Sequence, residues 1–269
     1  MKMMKSMAVA AVACVMAVGA AVAGPAATAT TSYEMNYSLG TFGNSAGYTG
    51  KVTFEMWPVT LYQAGLTDAF VAEAGVSHGS SSYPPQWKDQ RVSSPLTVFS
   101  AIAGVDDIFG SGLATVQWFD GAVGPGKPGT LRGIFSARAA IGGTTSTRGE
   151  SNGAAYVVAT LGPYTAMTVT VNSMQTVGYA DMPTSQSTSG TRANTYVELN
   201  TGTLRADGTY QLGTSPVRGV MNLVPESVPG SKSNSEVKTV RKPVYNNSAN
   251  PVKVLIYISG GSSASVGPN

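Results

Sequence analysis

Cysteine and histidine are almost absent: the 269-residue chain has one of each. A lone cysteine allows no disulfide within the chain, and this pair cannot build a zinc site from His and Cys or a two-histidine haem site. Charge is scarce as well. At 12% charged residues, with 17 basic against 14 acidic, the formal net charge is only +3, and no basic stripe is available for a phosphate backbone. Nucleic acid is therefore excluded as a partner. Three tryptophans and 8% aromatic residues are few for a sugar-processing cleft. Disorder is excluded from the other side, because 42% hydrophobic residues at low net charge supply ample surface to bury. The length suits one large domain or two modest ones.

The first apolar run stands at the N-terminus. Lys2 and Lys5 precede an apolar stretch from Met7 to Val18, and Ala21-Val22-Ala23 fits small-x-small cleavage, so residues 1–23 read as a signal peptide with Gly24 as the new N-terminus. Ala27-Thr28-Ala29 is a second cleavage motif. The short, basic, alanine-rich segment has bacterial character. Cys14 lies within it, so a processed chain has no cysteine, and losing Lys2 and Lys5 leaves a charge near +1. No later run reaches the roughly 20 apolar residues of a membrane span.

Beyond the leader, apolar residues recur at every second position. Val52, Phe54 and Met56 alternate with Lys51, Thr53 and Glu55; Met167, Val169 and Val171 alternate with Thr168, Thr170 and Asn172; Val197 and Leu199 lie between Tyr196, Glu198 and Asn200. Residues 113–119, 130–134, 155–161 and 252–258 read as further strands. Asp-Gly at 120–121 and 207–208 and Thr-Gly at 201–202 are hairpin chemistry. With 32 Gly and 15 Pro between such strands, the expected fold is all-β, an antiparallel sandwich of jelly-roll or Ig-like type with at most two short helices. Two segments allow a short helix, Thr67 to Ala74 and Ser94 to Ile102, each closed by a glycine; the second equally fits a strand, because Thr97, Phe99 and Ala101 alternate. Residues 121–129, 181–194 and 228–235 are poor in core-forming side chains. The expected organisation is a single sandwich over 24–259, with a possible division near 181–194 and a flexible tail over 260–269.

Motifs that resemble catalytic sites lack their setting. Gly43-Asn44-Ser45-Ala46-Gly47 matches the nucleophile elbow, but a strand rather than a helix follows, and the sole histidine, His78, lies in a polar stretch. Residues 121–127 imitate a phosphate loop, but Pro128 takes the place of the magnesium-binding hydroxyl. Asp106-Asp107 lacks the spaced oxygen ligands that calcium needs. No metal or cofactor is expected. Glu55 and Glu198, each on the polar face of a strand, are the candidate pair for a retaining glycosidase, which needs carboxylates about 5 Å apart. Trp57, Trp87 and Tyr196 are the candidate binding residues for a glycan.

What remains is an exported, neutral, strand-rich chain with no catalytic set, whose general plan resembles fimbrial and other bacterial surface subunits. The expected role is a secreted, cell-surface structural or adhesive subunit, self-associating or joining a surface assembly. Such subunits can assemble by β-strand complementation, for which Thr28–Ser38 or the strand carrying Val252, Val254, Ile256 and Ile258 would be donors. A carbohydrate- or partner-binding module and a glycoside hydrolase are the alternatives.

Overall fold

An apolar residue at every second position gives a segment one face that must leave water, and a strand is the backbone that meets this demand. The computed structural model describes residues 25–43, 47–78, 86–92, 99–106, 110–119, 130–140, 146–182, 191–224 and 230–267, and among them there is no helix. In chain order the strands are β1 (Ala26–Thr41), β2 (Val52–Glu55), β3 (Val59–Leu61), β4 (Gly65–Thr67), β5 (Phe70–His78), β6 (Gln86–Val92), β7 (Phe99–Asp106), β8 (Gly110–Phe119), β9 (Thr130–Ala140), β10 (Thr147–Leu161), β11 (Thr165–Met182), β12 (Arg192–Leu204), β13 (Tyr210–Leu212), β14 (Val217–Leu223), β15 (Gly230–Tyr245) and β16 (Val252–Val266).

They form two sheets packed as a sandwich. The six-stranded sheet runs β15-β11-β1-β9-β8-β7. The ten-stranded sheet runs β4-β3-β13-β12-β16-β10-β5-β6, with β14 on β12 and β2 on β10, and it curls strongly. Among the described residues every ladder is antiparallel except the single pair Tyr210–Leu61. The 18 residues of β11 extend for about 60 Å.

Between the two sheets lie two apolar regions with a polar belt between them. A third buried cluster, Val59, Val158, Tyr210 and Leu255, lies on the opposite face of the curled sheet with Tyr156 packed against it. Met35, Phe54, Phe70, Leu131, Phe135, Val169, Leu199, Ile256 and Ile258 belong to the larger region. Ala27, Ala29, Ala137, Ala139, Val177, Tyr179, Ala264 and Val266 belong to the smaller. Between them, buried hydroxyls and one amide tie sheet to sheet. Thr31 donates to the Gly261 carbonyl at 3.1 Å, and the Ser262 hydroxyl lies 3.2 Å from the Phe135 carbonyl oxygen. Gln175 donates to Gly219 O at 3.0 Å and accepts from Thr195 at 3.2 Å. Buried polar groups are tolerable only when bonded in this way, and each such bond fixes one register of the sheets.

Near the ends of β8 and β10 the sheets come into backbone contact. A Cβ on Gly112 would lie 2.1 Å from the Glu150 carbonyl oxygen, and one on Gly149 would lie 2.3 Å from that of Arg138. Only glycine admits this approach, and Ala72, Ala74, Ala103 and Ala114 fill the adjoining wall. The sandwich is thin here.

Three sequence expectations change and one open alternative is decided. The helix allowed from Thr67 to Ala74 is β4 followed by β5, because Phe70, Ala72, Ala74 and Val76 alternate inward along the close contact. Between helix and strand after Ser94, the described part is strand β7, and residues 93–98 lie outside the described residues. Thr201-Gly202 is strand interior rather than a turn, since β12 continues to Leu204 and turns at Asp207-Gly208, where Gly208 has φ 81°. The tail expected over 260–269 is strand as far as Val266: its serines and glycines occupy the belt and the close packing around it, where small residues are required. The signal peptide, Ser45, Asp107, residues 121–129 and residues 183–190 lie outside the described residues. Strands from both sides of the 181–194 segment pair with one another in both sheets, β15 with β11 in the six-stranded sheet and β16 with β10 in the ten-stranded one.

β16 lies between β10 and β12 from Val254 to Ser265. Ile256→Asp therefore places a carboxylate in the larger apolar region without a partner, a cost of several kcal/mol against a total stability of roughly 5–15 kcal/mol. The variant is expected to lose cooperative thermal unfolding and near-ultraviolet dichroism. A folded variant would mean that β16 is not core.

Candidate functional site

Because Val157, Val197, Leu199, Ile256 and Ile258 face inward, their neighbours Tyr156, Tyr196, Glu198, Tyr257 and Ser259 face outward from the curled sheet. The registers bring these together. Tyr156 is opposite Tyr257, Tyr257 opposite Asn200, and Ser259 stands between Ala154 and Glu198. Gly261 separates Asn152 from Tyr196, and a side chain there would collide with both, at 2.3 Å and 2.6 Å. The rings of Tyr156 and Tyr257 are 5.1 Å apart at 46°.

Burial dominates the ionisation of this surface. It pushes the Tyr196 hydroxyl up to about 12, aided by Tyr257 and the carboxylates of Glu198 and Glu73, while a hydrogen bond with Ser259 opposes the rise. Tyr257 is raised for the same first reason and is also hydrogen-bonded to Ser259. Tyr33, inside the sandwich, is raised by burial as well, and its hydroxyl has no hydrogen-bond partner among the described residues. Lys242 donates to Asn200 Oδ1 at 2.8 Å and to Ser215 O at 2.7 Å, and burial lowers its pKa.

The two candidate carboxylates are not brought together. Glu55 is in register with Val158, Leu255 and Gly202, whereas Glu198 is on the row of Ser259 and Ala154. Three strand spacings, about 14 Å, separate β2 from β12, with a further offset along the strands. A retaining pair needs about 5 Å and an inverting pair at most about 9.5 Å. Each carboxylate has its own cation: Lys253 Nζ lies 2.9 Å from Glu55 Oε2, and Arg218 donates to Glu198. The Glu55 partnership raises the Lys253 pKa.

Of the candidate binding residues, only Tyr196 belongs to the outer tyrosine surface. Trp57 follows β2 and is 41% exposed. Trp87 is on β6 opposite Gly75, and its side chain lies outside the described residues. His78 ends β5 opposite Thr147 instead of lying in a loop. Among the described residues no three His, Cys, Asp or Glu side chains converge to hold a metal, and no helix is long and apolar enough to cross a membrane.

The candidate donor strands are both internal. Thr28–Ser38 is part of β1, paired with β11 along its length and with β9 over most of it. Val254, Ile256 and Ile258 are buried in β16, with Val252 half-exposed at its start. Neither can leave for a neighbour without opening its own sandwich.

The open backbone is elsewhere. Among the described residues β15 pairs only with β11, and its first eight residues, Gly230–Val237, are exposed on both faces. Residues 230–235, poor in apolar side chains, contribute nothing to the core, yet they are strand, held by the main-chain ladder to β11. Composition shows the missing core contribution but not the ladder. Met174 and Val237 form an apolar cross-strand pair on the outer face, 54% and 69% exposed. The sequence reading also passed over Tyr156, Arg218 and Tyr257; outward alternation beside Val157 and Ile256 is the signal that would have found the tyrosines.

A tyrosine held neutral by burial makes stability depend on alkaline pH. Below the ordinary value of 10 both folded and unfolded chains keep the proton; above it the unfolded chain releases it while folded Tyr196 does not. Stability is therefore expected to be flat up to about pH 9 and to fall from 10 towards 12, with Tyr196→Phe making the fall shallower. Denaturant midpoints measured across this range test it, and an unchanged slope in Tyr196→Phe would contradict it. Comparison with family models, with curated proteins and with solved structures finds no significant match to this chain.

Proposed function

We propose that the protein is an exported bacterial structural or adhesive subunit, which works through strand edges and sheet faces. The observation that carries this reading is β15: a sixteen-residue edge strand with one side unpaired among the described residues and half its length exposed on both faces. An edge of this kind is a template for another backbone, and main-chain hydrogen bonds supply the affinity. The paired carboxylates fit the same reading, since neither Glu55 nor Glu198 is free to act on a substrate. Export rests on the apolar leader and the Ala21-Val22-Ala23 motif. Cleavage there fits the fold, because β1 begins at Ala26 and buries Ala27 and Ala29, which cleavage at the second motif would remove.

A second reading, a secreted glycan- or partner-binding module, is favoured by the half-buried outer surface of Tyr156, Tyr196, Tyr257 and Asn152. Tyrosine rings beside an amide suit a neutral polar ligand. A glycan panel separates the two readings, because only the module binds one sugar class and loses it in Tyr257→Ala.

The subunit reading is tested by expressing the full chain in a bacterial host. The expected product begins at Gly24, lies outside the inner membrane and sediments as larger species at higher concentration. A product that keeps Met1 in the cytosol, or a monomer at all concentrations, would overturn it.

A further inference from the structure

We infer that β15 pairs with β15 of a second copy, antiparallel about a two-fold axis at Val237, joining two six-stranded sheets into one. The inference rests on the subunit reading and names the partner and register.

Which backbone groups are free follows from two observations. The Asn246 N–H donates to Thr165 O at 2.8 Å, so even-numbered positions point towards β11. Pro243, an odd position, has no N–H, and a ladder accepts proline only where the N–H would face away. Ser233, Ser235, Val237, Thr239 and Arg241 therefore turn both N–H and C=O to the open side. Cross-strand contacts agree: Thr176–Ser235 at 2.8 Å and Thr239–Asn172 at 2.9 Å join outward-facing side chains at positions not bonded to each other through the backbone.

Charge then selects the register. β15 carries Lys232, Lys238, Arg241 and Lys242 with Glu236, and basic side chains and proline on an edge oppose indiscriminate pairing. An axis at Glu236 sets that carboxylate against itself, one at Lys238 sets two ammonium groups together, and one at Ser235 places Lys232 against Lys238. An axis at Thr239 brings Pro243 against Ser235 and forfeits hydrogen bonds. An axis at Val237 sets Glu236 opposite Lys238 twice, extending the ion pair that the two make within each chain. It also sets Ser235 opposite Thr239 and Ser233 opposite Arg241, and moves Pro243 out to Ser231 near the end of the strand. Opposite charges across a ladder stabilise it and like charges destabilise it. The two Val237 side chains meet, each flanked by its own Met174, and cover one another's exposed apolar surface. Lys242 falls opposite Lys232 at the periphery, but its ammonium is held by Asn200 and Ser215.

The test uses the full chain with Cys14→Ser as background. Val237→Cys puts the two Cα atoms about 5.5 Å apart, within disulfide reach, so mild oxidation is expected to convert most of the protein to a covalent dimer. Ser235→Cys alone leaves about 14 Å between the equivalent positions and is expected to stay monomeric on denaturing gels. Val237→Pro removes an outward N–H, so it is expected to keep the circular dichroism and thermal midpoint of the parent and to lose concentration-dependent sedimentation. Cross-linking at Ser235 instead of Val237 overturns the register. Assembly that persists in Val237→Pro, with no cross-link at Val237, overturns the edge contact and leaves the subunit reading standing. A monomer at every concentration in the parent protein overturns both.

Discussion

The sandwich depends on how closely its two sheets approach. Where Gly112 and Gly149 meet the carbonyls of Glu150 and Arg138, there is no room for a single methyl group, so the layers rest on one another's backbone. Interiors are packed to crystal-like density, and a contact this short dictates what surrounds it. It explains a wall of alanines where larger residues would be expected, and glycines elsewhere make room for two large rings. Tyr33 and Phe135 occupy the space that side chains on Gly133 and Gly260 would take. The polar belt has the same origin. Thr31, Ser262 and Thr195 are short enough to span the narrow gap with hydrogen bonds, and together with Gln175 they set the sliding register of the layers.

Much of this was legible in the chain. Alternation at Val52-Phe54-Met56, Met167-Val169-Val171 and Val197-Leu199 gives both the strand and the face that is buried, because a strand has only two faces. What misled was small residues. Alanine and glycine between Thr67 and Gly75 carry a weak hydrophobic signal, and helix caps can be found around them, yet Ala72 and Ala74 are core because the opposing sheet is so near. The same applies to the serines and glycines after Ile258, which composition treats as a tail and packing treats as a belt. Local propensity yields to tertiary contact in both segments.

The candidate site was legible in pieces. Tyr196 and Glu198 are visible as outward residues, but their setting comes from β10, β14 and β16, which are distant in sequence. Arg218 reaches Glu198 only because β14 folds back on β12, and no spacing rule in one strand reveals that. Glu55 and Glu198 look alike along the chain and differ in the sheet, where they stand three strands apart with separate cations. The open edge was the hardest to see. β15 is held over Gly230–Val237 by its main-chain ladder and a few outer-face side-chain contacts, without a buried face, and side-chain patterning has nothing to say about such a segment.

The central claim is that the outward amides of β15 become paired on assembly. Amide hydrogen exchange along β15, measured at low and high protein concentration, tests it most directly. At low concentration the amides of Asn234, Glu236 and Lys238 should be protected by β11, while those of Ser233, Ser235, Val237 and Thr239 exchange freely. At high concentration the second set should slow to match the first. Outward amides that exchange freely at every concentration would contradict the account.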